Sequence, residues 1–151
     1  MKALTTLMVI GMFAAATPVR AQSNIEGAWK IIEWWGTNQG QEWRMEDIQP
    51  SLWLFKDGYY SCTYLHGKRS VMTKRVEMSA DEWVSIAKPF VSNAGRYQTT
   101  DSHITVRPMV ALIPNFMMEG VSPTWEYRFE GDVLHVTFVG GSEHVRLQRL
   151  Q

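Results

Sequence analysis

Short apolar runs alternate with polar positions along most of the chain, and turn dipeptides punctuate them. Asp57-Gly58, Asp101-Ser102, Gly131-Asp132 and Gly140-Gly141 each stand where two residues reverse a hairpin. Because strand side chains alternate with a period of two, a two-residue loop fixes which residues face each other. Around Asp57-Gly58 the pairs are Phe55 with Tyr60 and Trp53 with Cys62, so Trp53, Phe55, Tyr60, Cys62 and Tyr64 share a face. Around Gly131-Asp132, Phe129 faces Leu134, Tyr127 faces Val136 and Trp125 faces Phe138. Glu126, Arg128, His135 and Thr137 take the other side. Around Gly140-Gly141 the same counting sets Val136 against Val145 and Leu134 against Leu147, which brings Arg149 to the apolar face, where a cation requires a partner. Consecutive hairpins of this kind predict an antiparallel meander.

Two segments depart from the period of two. Ser79-Ala80-Asp81-Glu82 is a capping box, and Trp83, Ile86, Ala87 and Phe90 follow at helical spacing. This predicts a helix from about Ala80 to Ser92, kinked or ended early by Pro89, with Gly95 as a stop. The stretch from Pro108 to Gly120 is Met-rich and follows neither period. It reads as a packed connection or, since methionine adapts to varied apolar shapes, as a flexible lid.

The ends change the picture. Lys2, the apolar run from Ala3 to Thr17 and the small-x-small triplet Val19-Arg20-Ala21 read as a secretory signal cleaved after Ala21. The run is too short for a membrane span and is stopped by Pro18 and Arg20. The expected product is one exported domain, residues 22–151, periplasmic or secreted, with no integral membrane span. Loss of Lys2 and Arg20 lowers the basic count from 15 to 13 against 15 acids, a net charge of about −2. Without a basic face, nucleic acid is not an expected partner. The single cysteine, Cys62, cannot form an internal disulfide, so the core must hold the fold. No cofactor is implied: there is no phosphate-cradling glycine loop, no Gly-x-Ser-x-Gly elbow, and His66, His103, His135 and His144 read as surface residues rather than as metal ligands. Nothing in the pattern sets the oligomeric state.

Three functions fit this pattern. If the aromatic face is the interior of a barrel, then Trp53, Phe55, Tyr60, Tyr64, Tyr97, Trp125, Tyr127 and Phe138 either pack it solid or wall a site for a small hydrophobic or amphipathic molecule. Counting from Trp29 points Ile31, Glu33 and Trp35 inward and sets Glu143 opposite Phe138. Glu33 then reads as a polar anchor among the ligand-binding residues. With Glu143 and Tyr60 it is alternatively a general acid/base for isomerase or cyclase chemistry, unless both carboxylates lie at strand ends in water. The third reading is a filled barrel acting through its surface, with Met109 to Met118 as the contact segment and Trp34 and Trp43 as exposed anchors.

Several pieces in order carry a family resemblance: Gly27-Ala28-Trp29 opening a strand, Phe55-Lys56-Asp57-Gly58-Tyr59-Tyr60-Ser61, Ala94-Gly95-Arg96-Tyr97, Ile113-Pro114-Asn115-Phe116 before Gly120, and Tyr127-Arg128-Phe129-Glu130-Gly131-Asp132-Val133-Leu134. Over most of Ile25 to Gln151 the chain resembles the bacterial and fungal lipocalin-like domains, calycin-type β-barrels. The resemblance implies an all-β fold, an antiparallel up-and-down lipocalin-like barrel, here with one short helix inserted mid-chain. It also implies that Trp29 packs across the barrel floor under Arg149, and that a small hydrophobic molecule is held inside. A fold of this kind hosts many activities, so it does not fix one. The third lipocalin signature and the usual disulfides are absent, and the inserted helix allows a barrel that is partly open or differently closed.

Overall fold

The four turns form with the registers that alternation requires. In the computed structural model, which describes residues 25–69, 78–138 and 140–151, Phe55 pairs with Tyr60 and Trp53 with Cys62. Trp125 pairs with Phe138, and Tyr127 with Val136. Val136 pairs in turn with Val145, and Leu134 with Leu147. Asp57 and Gly58 both adopt positive φ, 49° and 78°, the backbone that matches the right-handed twist of flanking strands.

The strands are β1 (Gly27–Asn38), β2 (Gln41–Arg44), β3 (Ser51–Lys56), β4 (Tyr59–Leu65), β5 (Phe90–Thr99), β6 (His103–Ala111), β7 (Thr124–Glu130), β8 (Val133–Phe138) and β9 (Glu143–Arg149), with helix α1 (Ala80–Ala87) before β5 and a 3₁₀ turn (Pro114–Met117) after β6. They form one sheet of nine strands in which β1 also pairs with β9. Strand β2 lies outside the closure, paired only with the far half of β1. The remaining strands make a closed antiparallel up-and-down barrel, not an open one. Among the described residues no helix is long and apolar enough to cross a membrane.

Closure depends on an irregularity in β1. Its first residues pair with β3, Gly27 with Phe55 through Trp29 with Trp53. Its other edge follows β9 from Trp29–Arg149 to Gly36–Glu143, with the register shifting between Ile31 and Glu33. Such a bulge inserts one extra residue and reverses which side chains face the core. Trp29 and Ile31 point inward, and beyond the bulge Trp34 and Gly36 do, so Glu33 and Trp35 are outside. The inward placement of Glu33 and Trp35 expected from unbroken alternation is therefore corrected. Glu33 accepts a hydrogen bond from Arg146 at 3.1 Å and lies 3.8 Å from Arg44. Trp35 stacks on His144, ring centroids 5.3 Å apart. Trp34, expected as an exposed anchor, is only 3% exposed, and Trp43 packs half-buried against the core. A Cβ at Gly36 would overlap the Ser142 carbonyl oxygen, so only glycine lets β1 approach the last turn closely enough for Thr37 N–H to donate to that oxygen at 2.7 Å.

The barrel floor is built from the chain's first described residues. Trp29 is fully buried, its Nε1–H donates to the Ile25 carbonyl at 2.9 Å, and the Arg149 guanidinium lies 4.1 Å from its ring centroid. Arg149 also donates to the Glu26 carbonyl. A guanidinium over an indole face is attracted by the ring quadrupole, and here both are withdrawn from water. The glycine of Gly27-Ala28-Trp29 has its reason in this contact: Gly27 has φ 135°, and a side chain there would run into Arg149. Trp29 and Arg149, the two residues that the resemblance pairs, are in contact here.

Helix α1 carries the expected capping box, with Ser79 N–H donating to the Glu82 carboxylate at 2.7 Å and Glu82 N–H to Ser79 Oγ at 3.3 Å. It ends at Ala87, before Pro89, rather than continuing to Ser92, and buries no residue. Gly95 is not its stop but lies within β5, where a Cβ would overlap the Arg107 carbonyl. The β5–β6 register shifts at that close approach, between Ala94 and Gly95.

Candidate functional site

The barrel has two unlike ends. The tight turns at Asp57-Gly58, Asp101-Ser102 and Gly131-Asp132 gather with the Trp29 floor at one end, while the long connections that follow β4 and β6 reach the other. The interior follows the same division. Toward the floor it is packed: Phe55 lies 5.2 Å from Tyr97 and 6.5 Å from Tyr60 between ring centroids. Tyr127 is half-buried there, its hydroxyl donating to the Thr100 carbonyl at 2.9 Å. Toward the open end the side chains stop meeting, and a cavity of about 400 Å³ remains.

Of the residues expected from sequence to wall a site, Trp53, Tyr64, Trp125 and Phe138 line this cavity. Phe55, Tyr60, Tyr97 and Tyr127 do not; they form the core beneath it. Glu33 is on the outer face, as described above. Glu143 lines the mouth together with Ser142. His66, exposed as read from sequence, borders the same space, and Trp34, turned inward by the bulge, is also in the wall. So are Ile113 and Phe116, from the Met-rich connection, which closes part of the rim. The signal for those last two was the segment Ile113-Pro114-Asn115-Phe116 itself. Nothing local marked Trp34.

The wall is a set of aromatic rings in mutual contact. Centroids of Trp53 and Trp125 are 5.5 Å apart, those of Trp125 and Phe138 5.5 Å at 87°, and those of Trp34 and Tyr64 5.1 Å at 78°. His66 lies 4.7 Å from Trp34. Edge-to-face pairs of this kind contribute roughly 0.5–1.5 kcal/mol each beyond area burial, so the rings hold their places when the cavity is open. Two polar atoms in the wall stand out: the indole Nε1–H groups of Trp34 and Trp53 are buried and have no hydrogen-bond partner. An unmade hydrogen bond at a buried donor costs about 1–3 kcal/mol.

The remaining electrostatics are sparse. Glu143 is the one carboxylate among the described lining residues, and neither lysine nor arginine is among them. Burial pushes the Cys62 thiol well above its ordinary value. Burial, with lesser contributions from Cys62 and Glu143, raises the Tyr64 phenol. Burial lowers His66, opposed by the Glu143 charge. His144, beside Thr137 at 3.1 Å, and His135, against Glu130 at 2.9 Å, lie outside the barrel. Among the described residues no three His, Cys, Asp or Glu side chains group to hold a metal ion.

These shifts make a stability prediction. Cys62, Tyr60 and Tyr64 are held protonated in the barrel above their ordinary values of 9.0, 10.0 and 10.0. The unfolded chain ionises first as pH rises, so stability is full below about pH 9 and falls as pH passes 9 and then 10. Urea midpoints at about pH 8 and pH 10.5 are expected to show this loss, and Tyr64→Phe is expected to reduce it.

No protein-family model matches the sequence, and no curated protein matches it. Two solved structures are similar in fold. A lipocalin-like protein from Bacteroides uniformis ATCC 8492 is 12% identical, with 83% of this chain and 97% of that one covered at a TM-score of 0.47. An uncharacterized protein from Bacteroides eggerthii DSM 20697 is 11% identical, with 83% and 98% covered, also at 0.47.

Proposed function

We propose that this chain is an exported binder that holds a small apolar or amphipathic molecule in the open half of its barrel. The observation that carries this reading is the cavity of about 400 Å³, walled by Trp34, Trp53, Tyr64, Trp125 and Phe138. Ligand sites are typically about 300–1,000 Å³, mostly apolar, with a few placed polar groups. Tyr64, Asn93, Ser142 and Glu143 in the lining supply such groups. Export is supported by the signal pattern over Met1 to Ala21, which lies outside the described residues.

The alternatives have less support. Acid/base chemistry loses Glu33 to the outer face and Tyr60 to the packed core, and among the described residues no hydrogen bond joins Glu143 to a tyrosine. A barrel acting only through its surface has no use for an unfilled interior.

The test is titration with an uncharged apolar fluorophore, N-phenylnaphthylamine. Saturable uptake at one site per chain is expected, with energy transfer from the cavity tryptophans. Probe fluorescence that never saturates, from a chain whose circular dichroism shows an intact barrel, would withdraw the reading.

A further inference from the structure

We propose that the cavity selects an apolar amine, a molecule with a hydrophobic body and one protonated nitrogen, over the corresponding carboxylic acid. This rests on the binding function proposed above and names its ligand class. Three features of the wall point the same way.

The first is charge. The only formally charged side chain among the described lining residues is Glu143, at the mouth, and no described residue forms an ion pair with it. A carboxylate ligand would bring a second negative charge beside it and find neither lysine nor arginine in the wall. A cation meets a counter-charge that desolvation strengthens.

The second is the aromatic arrangement. Trp34, Trp53, Tyr64, Trp125 and Phe138 surround one space, with neighbouring centroids 5.1–6.3 Å apart. Ring faces carry the negative part of the quadrupole, and an ammonium within about 6 Å of a centroid is attracted to it, most strongly by tryptophan. Whichever of these rings turns its face to the space adds to the attraction of Glu143 for a cation.

The third is the state of His66. It is the one other lining group able to become a cation near neutral pH; it lies 4.7 Å from Trp34 between ring centroids, and burial lowers its pKa, which favours a cation from outside over one built into the wall.

Three probes sharing one body separate the possibilities: naphthylethylamine, naphthylethanol and naphthylacetate, each competed against N-phenylnaphthylamine at pH 7. The amine is expected to bind about tenfold or more tightly than the alcohol, and the carboxylate more weakly than either. Glu143→Gln is expected to lower amine affinity about tenfold and leave the alcohol's unchanged, and Glu143→Asp to retain most of the preference. Trp53→Leu, which keeps the wall apolar but removes a ring face, is expected to weaken the amine more than the alcohol. Equal affinities for amine and alcohol, or a preference for the carboxylate, overturn the inference. A Glu143→Gln variant that binds the amine as the parent does would overturn it as well. If N-phenylnaphthylamine itself does not bind, the binding function fails. If it binds and no amine preference is seen, only the ligand class fails.

Discussion

Replacing Trp29 with alanine is expected to lower the unfolding free energy by about 3–5 kcal/mol, the largest stability loss of any single truncation in the barrel. The side chain is fully buried and closes the floor, so its removal leaves a void that neighbours cannot collapse into without moving strands. It also strands two polar partners. The Ile25 carbonyl loses its indole donor, and the Arg149 guanidinium loses the ring beneath it. Phe129, 6.0 Å away between centroids, loses its packing partner. Arg149→Met separates these contributions by keeping an apolar stem over Trp29 while removing the cation and its bond to the Glu26 carbonyl, and is expected to cost about 1–2 kcal/mol. Urea unfolding of both variants checks the pair. A Trp29→Ala loss below about 1 kcal/mol would show that the floor does not hold the barrel.

The second large effect is on binding rather than stability. Asn93 pairs with Cys62 across β4 and β5, and both line the cavity. Asn93→Phe directs a ring into the open space and removes volume that a ligand needs. N-phenylnaphthylamine affinity is expected to fall at least about tenfold while stability stays within about 2 kcal/mol of the parent. The sign is set by the division of the interior: the same enlargement at packed Val136 or Leu147 meets neighbours at once and destabilises. Unchanged probe affinity in Asn93→Phe would place the probe elsewhere on the molecule.

The contrast between these two sites reflects what the residues reveal in advance. Hairpin registers were legible because Asp57-Gly58, Gly131-Asp132 and Gly140-Gly141 leave little choice of pairing, and the inward faces of β3, β4, β7 and β8 follow from them. The Trp29 and Arg149 floor was legible only through the family resemblance that Gly27-Ala28-Trp29 helps to carry. The inward frame of β1 was not. Trp29, Ile31, Trp34 and Trp35 offer apolar residues in either frame, and no glycine or proline marks the bulge between Ile31 and Glu33. What decides it lies far along the chain, in the pairing with β9 and the close approach of Gly36 to Ser142. This is why Glu33 was expected inside and Trp34 outside, and why both expectations reversed.

The split between wall and core was hidden for a different reason. Trp53 and Phe55, or Tyr64 and Tyr60, occupy the same face of the same strand, and alternation cannot tell them apart. Their fates differ with height above the floor, which only the closed barrel sets. Phe55 and Tyr60 stand near the Asp57-Gly58 turn and are packed, whereas Trp53 stands one inward position and Tyr64 two nearer the open end, and both meet the cavity. The helix shows the same limit on a smaller scale: its capping box fixed the start, but Gly95 as a stop ignored that a glycine within a strand also permits close backbone approach.

The most direct test of the central claim is mass spectrometry of small molecules released on denaturing the protein after native purification from its own host, with Asn93→Phe purified in parallel. The account predicts a specific apolar compound, near one per chain in the parent and lost from the folded variant. Equal amounts in both, or no compound in either while the parent also refuses N-phenylnaphthylamine, would contradict it.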